Sequence, residues 1–243
     1  MSKLPKAPLV EVVFELKWDI KMKSDLDDFQ YLYGDLYANL KNEFPNRERL
    51  TPLEIPFDAL INIPVFRFTK NENKYPLIQI GPGVISINTL NEFYVWEDFR
   101  ENIHKLLDIL KDIYPKFQTL KIIPALIYID FLKFNDSNTT GYNFINQNFN
   151  ISINSNILND IDSTISDINI NTNYQIGTDI LSIRINEGKA NNSTDGIVLQ
   201  TKVNGNGQSH DKETLKEWLE SAHLLSSKTF KSLIKEDLYN TFN

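Results

Sequence analysis

The sequence predicts an α+β protein with a mostly antiparallel sheet and helices on one face. Three observations carry this. Residues 9–18 alternate, with Val10, Val12, Phe14, Leu16 and Trp18 on one side and Glu11, Glu15 and Lys17 on the other, which is the period of a half-buried strand. Residues 96–114 place Trp96, Phe99, Ile103, Leu106, Leu107, Leu110 and Ile113 at spacings of three and four before Pro115, the apolar stripe and stop of a helix. Between these two segments, short apolar runs are separated by Lys70-Asn71-Glu72-Asn73-Lys74 and by Gly81-Pro82-Gly83, both of which read as turns.

The remaining elements follow in order. Pro5 and Pro8 give the first strand an extended entry. Leu26, Phe29, Tyr33, Leu36, Tyr37 and Leu40 make a helix over 25–43, capped by Ser24 or Asp25 and stopped by Pro45. Residues 46–57 read as a Pro-punctuated connection, and three strands follow at 60–69, 75–80 and 84–88. The run at 120–134 reads as a long strand, with apolar neighbours that call for burial on both sides. After a weak stretch at 135–163, with a short helix or strand near 142–149, strands are expected at 164–175, 179–186 and 196–203. A helix at 212–235, with Leu215, Trp218, Leu219, Ala222, Leu225 and Phe230 inward, and a short turn carrying Leu238, Tyr239 and Phe242 end the chain.

This order repeats. The segment 10–18 echoes 125–134, which suggests a duplicated β-α-β-β-β-α unit, 1–116 and 117–243, sharing one sheet.

Composition excludes several classes. Forty-one per cent of the 243 residues are hydrophobic, with 15 Phe, 10 Tyr and 3 Trp, so the chain can bury a core. It has no cysteine, which removes disulfides and zinc–thiolate sites. The N-terminus lacks the apolar run of a secretory signal, and no segment approaches the roughly 20 apolar residues that span a bilayer. A cytoplasmic protein without a membrane segment is expected. The net charge of -7 opposes general binding to nucleic-acid phosphates.

Candidate chemistry is sparse. The three histidines, His104, His210 and His223, fall in different elements, and no His-Glu-x-x-His occurs. His104 reads as a helix-surface or core-edge residue and His210 as solvated. His223 lies beside the inward stripe of the last helix, within local reach of Glu220, Ser226 and Ser227. Asp160 and Asp162 could give hard oxygen ligands, with Asp130 as a distant third, but an EF-hand's Gly and Glu are missing, so a capping loop is the plainer reading. Gly81-Pro82-Gly83 lacks the Lys-Ser/Thr of a phosphate loop, whereas the amides of 204–209 precede a helix and could face an anion. No catalytic residue, cofactor or metal is assigned. Tyr75, Tyr94, Trp96, Tyr128 and Trp218 are candidate linings of an aromatic pocket, with core packing as the plainer reading. No Lys or Arg occurs between Lys133 and Arg184, so this acidic, Asn-rich stretch could dock on a basic partner. Lys228, Lys231 and Lys235 form a basic stripe, most simply the wet face of a helix.

The opening Leu4-Pro5-Lys6-Ala7-Pro8-Leu9-Val10-Glu11-Val12, the hairpin Gln79-Ile80-Gly81-Pro82-Gly83-Val84-Ile85-Ser86, the helix start Tyr94-Val95-Trp96-Glu97-Asp98-Phe99, and Ala222-His223 followed by Phe230 resemble a sporadically distributed, uncharacterised bacterial family. Where that family tends to carry Arg-Tyr-Ile-Asn, this chain has Ile127-Tyr128-Ile129-Asp130. The resemblance implies no activity. Its patchy distribution implies mobile genes such as phage-defence or conflict modules. A non-catalytic component binding a protein partner is therefore the leading expectation. A small-ligand sensor, for a nucleotide or metabolite, comes second, and a metal-dependent nucleic-acid-acting protein third.

Overall fold

Nine strands follow one another across a single antiparallel sheet in the order β2-β3-β4-β5-β1-β6-β9-β8-β7, and a two-residue β10 pairs with the end of β6. The computed structural model describes residues 4–71, 74–134, 136, 139–154, 165–190, 194–209 and 212–243. The strands are β1 (Leu9–Trp18), β2 (Asn46–Arg49), β3 (Phe66–Thr69), β4 (Leu77–Gly81), β5 (Val84–Leu90), β6 (Lys121–Lys133), β7 (Asn169–Ile176), β8 (Asp179–Ala190), β9 (Thr194–Asn204) and β10 (Gln208–Ser209). The helices are α1 (Lys23–Leu40), α2 (Trp96–Ile113), α3 (Gly141–Asn148), α4 (Lys212–Leu233) and α5 (Glu236–Asn240). The fold is α+β, as the periodicities predict.

β1 and β6 meet at the centre, in a register that puts Val12 opposite Tyr128 and Phe14 opposite Leu126. Read outward from there, β5-β4-β3 lie on one side and β9-β8-β7 on the other. The two halves thus repeat one connectivity, while β2, β10 and α5 stand outside the repeat. A single core cluster runs through both halves.

Alternation decides which side chains enter that core. Val12, Phe14, Leu16 and Trp18 are buried against the helices, whereas Glu11, Val13, Glu15 and Lys17 are partly exposed on the opposite face. Each fully buried Phe or Leu contributes roughly 1.5–3 kcal/mol through burial. Val10 departs from the expected parity and is 43% exposed, because a register shift between Leu9 and Glu11 turns it outward. β6 is less enclosed than its apolar run suggests. Ile122 is buried but Ile123 is 42% exposed, and Ile127, Ile129 and Phe131 are only half-buried.

Three local readings change. α1 starts after Met22 instead of Ser24 or Asp25, and Asp25 caps it from inside by accepting from the Lys21 and Met22 amides at 2.9 and 3.0 Å. Residues 46–49 pair as β2 rather than forming a plain connection; the Tyr37 hydroxyl donates to the Pro45 carbonyl at 3.1 Å, and the Arg47 guanidinium lies 4.7 Å from the centre of the Tyr37 ring. The strand expected from residue 60 starts only at Phe66, since Phe57–Leu60 is a 3-10 turn and Asn62 has φ 63°. That turn presses on the β4–β5 hairpin so closely that a Cβ on Gly81 would sit 1.9 Å from the Ile63 carbonyl oxygen.

Candidate functional site

The inward parity of β6 runs Ile122, Leu126, Tyr128, Asp130 and Leu132, so the strand carries a phenol and a carboxyl into the helix-covered side. β9 sets Thr201 opposite Tyr128 and Leu199 opposite Asp130. Across the layer, Tyr94 and Val95 lead into α2 and Trp96 begins it. On α4, His223, Ser226 and Phe230 recur at spacings of three and four and present one face. Leu4, Ala7, Pro8 and Leu9, with Tyr239 of α5, close the sides. Together these residues line a cavity of about 620 Å³.

An aromatic network forms its wall. The His223 ring stacks on Trp96 with centroids 3.7 Å apart and planes 9° from parallel. Its Nδ1 lies 2.8 Å from the Tyr128 hydroxyl, which lies 3.0 Å from the Tyr94 hydroxyl. Burial lowers the His223 pKa to about 4, so the ring is neutral at pH 7 and carries one N–H. Burial also pushes both tyrosines up, so both hydroxyls stay protonated. The chain of hydrogen bonds can run from Tyr94 to His223 or back. In either direction Nε2 is buried without a partner.

Further polar groups lack partners. Asp130 is only 6% exposed and, among the described residues, has no hydrogen bond or ion pair. Burial alone pushes its carboxyl up to about 7. Thr201 Oγ1 and Ser226 Oγ are buried and unpartnered as well. Buried polar atoms are nearly always satisfied, so four such residues around one cavity need a reason. The cavity thus combines aromatic and aliphatic walls with a few convergent polar groups, the usual make-up of a small-molecule site.

The structure brings Tyr94, Trp96, Tyr128 and His223 together but separates the other candidates. Trp218 donates from Nε1 to Asp179 Oδ2 at 3.0 Å, next to Gly205 and away from the cavity. Tyr75 stacks on Phe93 with centroids 6.0 Å apart, in a different cleft with Lys70 and Lys105. Asp160, Asp162 and His210 lie outside the described residues. Among the described residues, no three His, Cys, Asp or Glu side chains gather as a metal site. In the turn after β9 the Gly205 amide is already engaged, donating to the Pro124 carbonyl at 2.8 Å. The lysine stripe is partly engaged too, with Lys235 Nζ donating to the Asn146 carbonyl at 2.7 Å and Lys231 lying over the Tyr239 ring. His104 Nε2 is buried without a partner, and desolvation first, then Lys216 and Arg100, lower its pKa.

Sequence reasoning missed the part played by Asp130, Thr201 and Ser226. The signal for Asp130 is present: it shares the parity of Leu126, Tyr128 and Leu132, so a charged residue stands at an inward position of an apolar strand. No family model, no curated protein and no solved structure matches the chain. Among the described residues, no helix is long and apolar enough to cross a membrane.

Proposed function

We propose that this protein binds a small, largely apolar molecule in the cavity between β6, β9, α2 and α4, and acts as a ligand sensor. One observation carries the reading: the buried residues Asp130, Thr201 and Ser226, and the buried Nε2 of half-buried His223, lack hydrogen-bond partners around a 620 Å³ space walled by aromatic rings. Native mass spectrometry of the protein purified from its host tests it. A bound small molecule in the natural protein, lost in a cavity-filling Ala7→Trp variant, is the expected result. No bound molecule and no thermal shift with any of a broad metabolite set would sink the reading.

A protein partner is the second reading, supported by the open face of the sheet. Val13, Ile127, Ile129 and Phe131 are partly exposed there, and Glu11, Glu15 and Lys17 flank them on the same face of β1. A place in a bacterial phage-defence or conflict module rests on the family resemblance alone. Pull-down with a Phe131→Lys variant as control tests this surface, and an unchanged set of captured proteins would count against it.

A further inference from the structure

Asp130 narrows the ligand chemistry. A carboxylate removed from water is costly unless an opposite charge and hydrogen-bond donors meet it, and among the described residues Asp130 makes neither an ion pair nor a hydrogen bond. A carboxylate only accepts. Thr201 and Ser226 offer hydroxyl oxygens that also accept. A group bearing several donor hydrogens would satisfy all three oxygens at once. The walls favour a positive charge as well, because the ring faces of Tyr94, Tyr128 and Phe230 are electron-rich. A quaternary ammonium lacks N–H groups and would leave these oxygens unsatisfied. An anion would meet Asp130, with Glu97 also lining the cavity.

We propose that the cavity takes an apolar or aromatic primary amine, its ammonium held by the Asp130 carboxylate and the Thr201 hydroxyl and its hydrocarbon body packed against the aromatic wall. This rests on the ligand-binding reading above and specifies its substrate class. Thr201 stands on β9 opposite Tyr128, two residues along β6 from Asp130, so carboxyl and hydroxyl are diagonal neighbours on one sheet face.

The assignment has a pH signature. Among the described residues, the titratable groups sharing the cavity with Asp130 are Glu97 from α2, His223 and Lys231 from α4, Tyr239 from α5, and Tyr94 and Tyr128, while Glu220 of α4 acts on His223 and Tyr128 from nearby. His223, Tyr94 and Tyr128 are neutral between pH 6 and 8. Burial lifts the Asp130 carboxyl into that window. An amine that stays protonated throughout therefore binds more tightly at pH 8 than at pH 6, by about tenfold.

Calorimetry with tryptamine, its alcohol tryptophol and indole-3-acetate, on the natural protein and on the near-isosteric Asp130→Asn, tests this. Tryptamine should bind best, gain about tenfold from pH 6 to 8, and lose at least about tenfold in Asp130→Asn. Tryptophol should bind more weakly, with no pH dependence and no response to the substitution. Should Asp130→Asn fail to fold, Thr201→Val replaces it, with a loss of about tenfold for tryptamine alone. Equal or better binding of the alcohol or the acid would overturn the amine assignment and leave the ligand-binding reading standing. Binding of none of the three would also overturn it, while the ligand-binding reading would fall only if the native mass spectrum showed no bound molecule and the metabolite set gave no thermal shift.

Discussion

The two halves of the sheet each lay a helix across inward aromatic side chains, yet the rings pack on one another under α1 and stand around a cavity under α4. In the first half, α1 meets β3 through Phe29, Tyr33 and Tyr37, with Tyr33 stacked on Phe66 at 3.9 Å and close to Phe68 at 5.9 Å. Every ring there touches another ring or an arginine, and Phe68 is fully buried. In the second half, α4 crosses β6 and β9 over Tyr128, Asp130 and Thr201, and the rings stand around a space instead of filling it. Aromatic content does not distinguish the halves. What separates a packed layer from a site is whether the rings fill the space between helix and sheet.

The largest expected effect tests the packed half. Phe68→Ala should destabilise by about 3–5 kcal/mol in denaturant titrations, whereas Phe230→Ala, beside the cavity, should cost only about 1–2 kcal/mol because one side of its ring already faces open space. Equal losses would erase the contrast between the halves.

Asp130 comes next. Burial holds its folded pKa at about 7, above the ordinary 3.8 of an Asp carboxyl. Between these values the folded state holds a proton that the unfolded state has released, so stability falls as pH rises through that window. Asp130→Asn should therefore be more stable than the natural protein at pH 8, by on the order of 3 kcal/mol, and nearly equal to it at pH 4. His223 works with the opposite sign. Its folded pKa of about 4 lies below 6.5, so stability is lost as pH falls from 6.5 toward 4. The two slopes offset each other between pH 4 and 6.5, and His223→Gln should steepen the loss of stability with rising pH there, as chemical denaturation at stepped pH would show.

A smaller effect belongs to the hydroxyl relay. Tyr128→Phe removes both bonds to Tyr94 and His223 and should cost about 1–2 kcal/mol. At the far edge of the packed half, Arg67→Ala breaks an exposed contact with Glu48 at 3.5 Å and should change stability by under about 1 kcal/mol.

Much of this frame was readable before any coordinates. The alternation of β1, the stripe of α2 and the Gly81-Pro82-Gly83 turn predict their elements within a residue or two, because local pattern and tertiary burial agree there. β2 escaped because Asn46-Arg47-Glu48-Arg49 has no apolar period; it pairs at an edge with Arg47 over Tyr37. Residues 60–65 looked like strand by composition, yet Asn62 at φ 63° and the close approach of Ile63 to Gly81 impose a turn. Within the site, four aromatic and histidine candidates converge, but Trp218 was misjudged because its helix stripe says which side faces inward, not which stretch meets the cavity. Asp130 stands out in the sequence as an inward acid, but not as one without a partner. Whether a buried carboxyl has a partner depends on side chains far away in sequence, and no periodicity reports it.

The amide of Lys6 donates to the carbonyl of Phe242 at 2.9 Å, and the amide of Phe131 donates to Pro8 at 2.8 Å. The first and last described segments are thus stitched side by side next to the cavity. A short linker could join them, with new ends opened at Gly177, where φ is 59° and no neighbouring atom crowds the backbone. In such a circular permutant the cavity wall would become the middle of the chain. Reporter domains could then be attached at the remote β7–β8 turn, leaving the mouth of the site unobstructed.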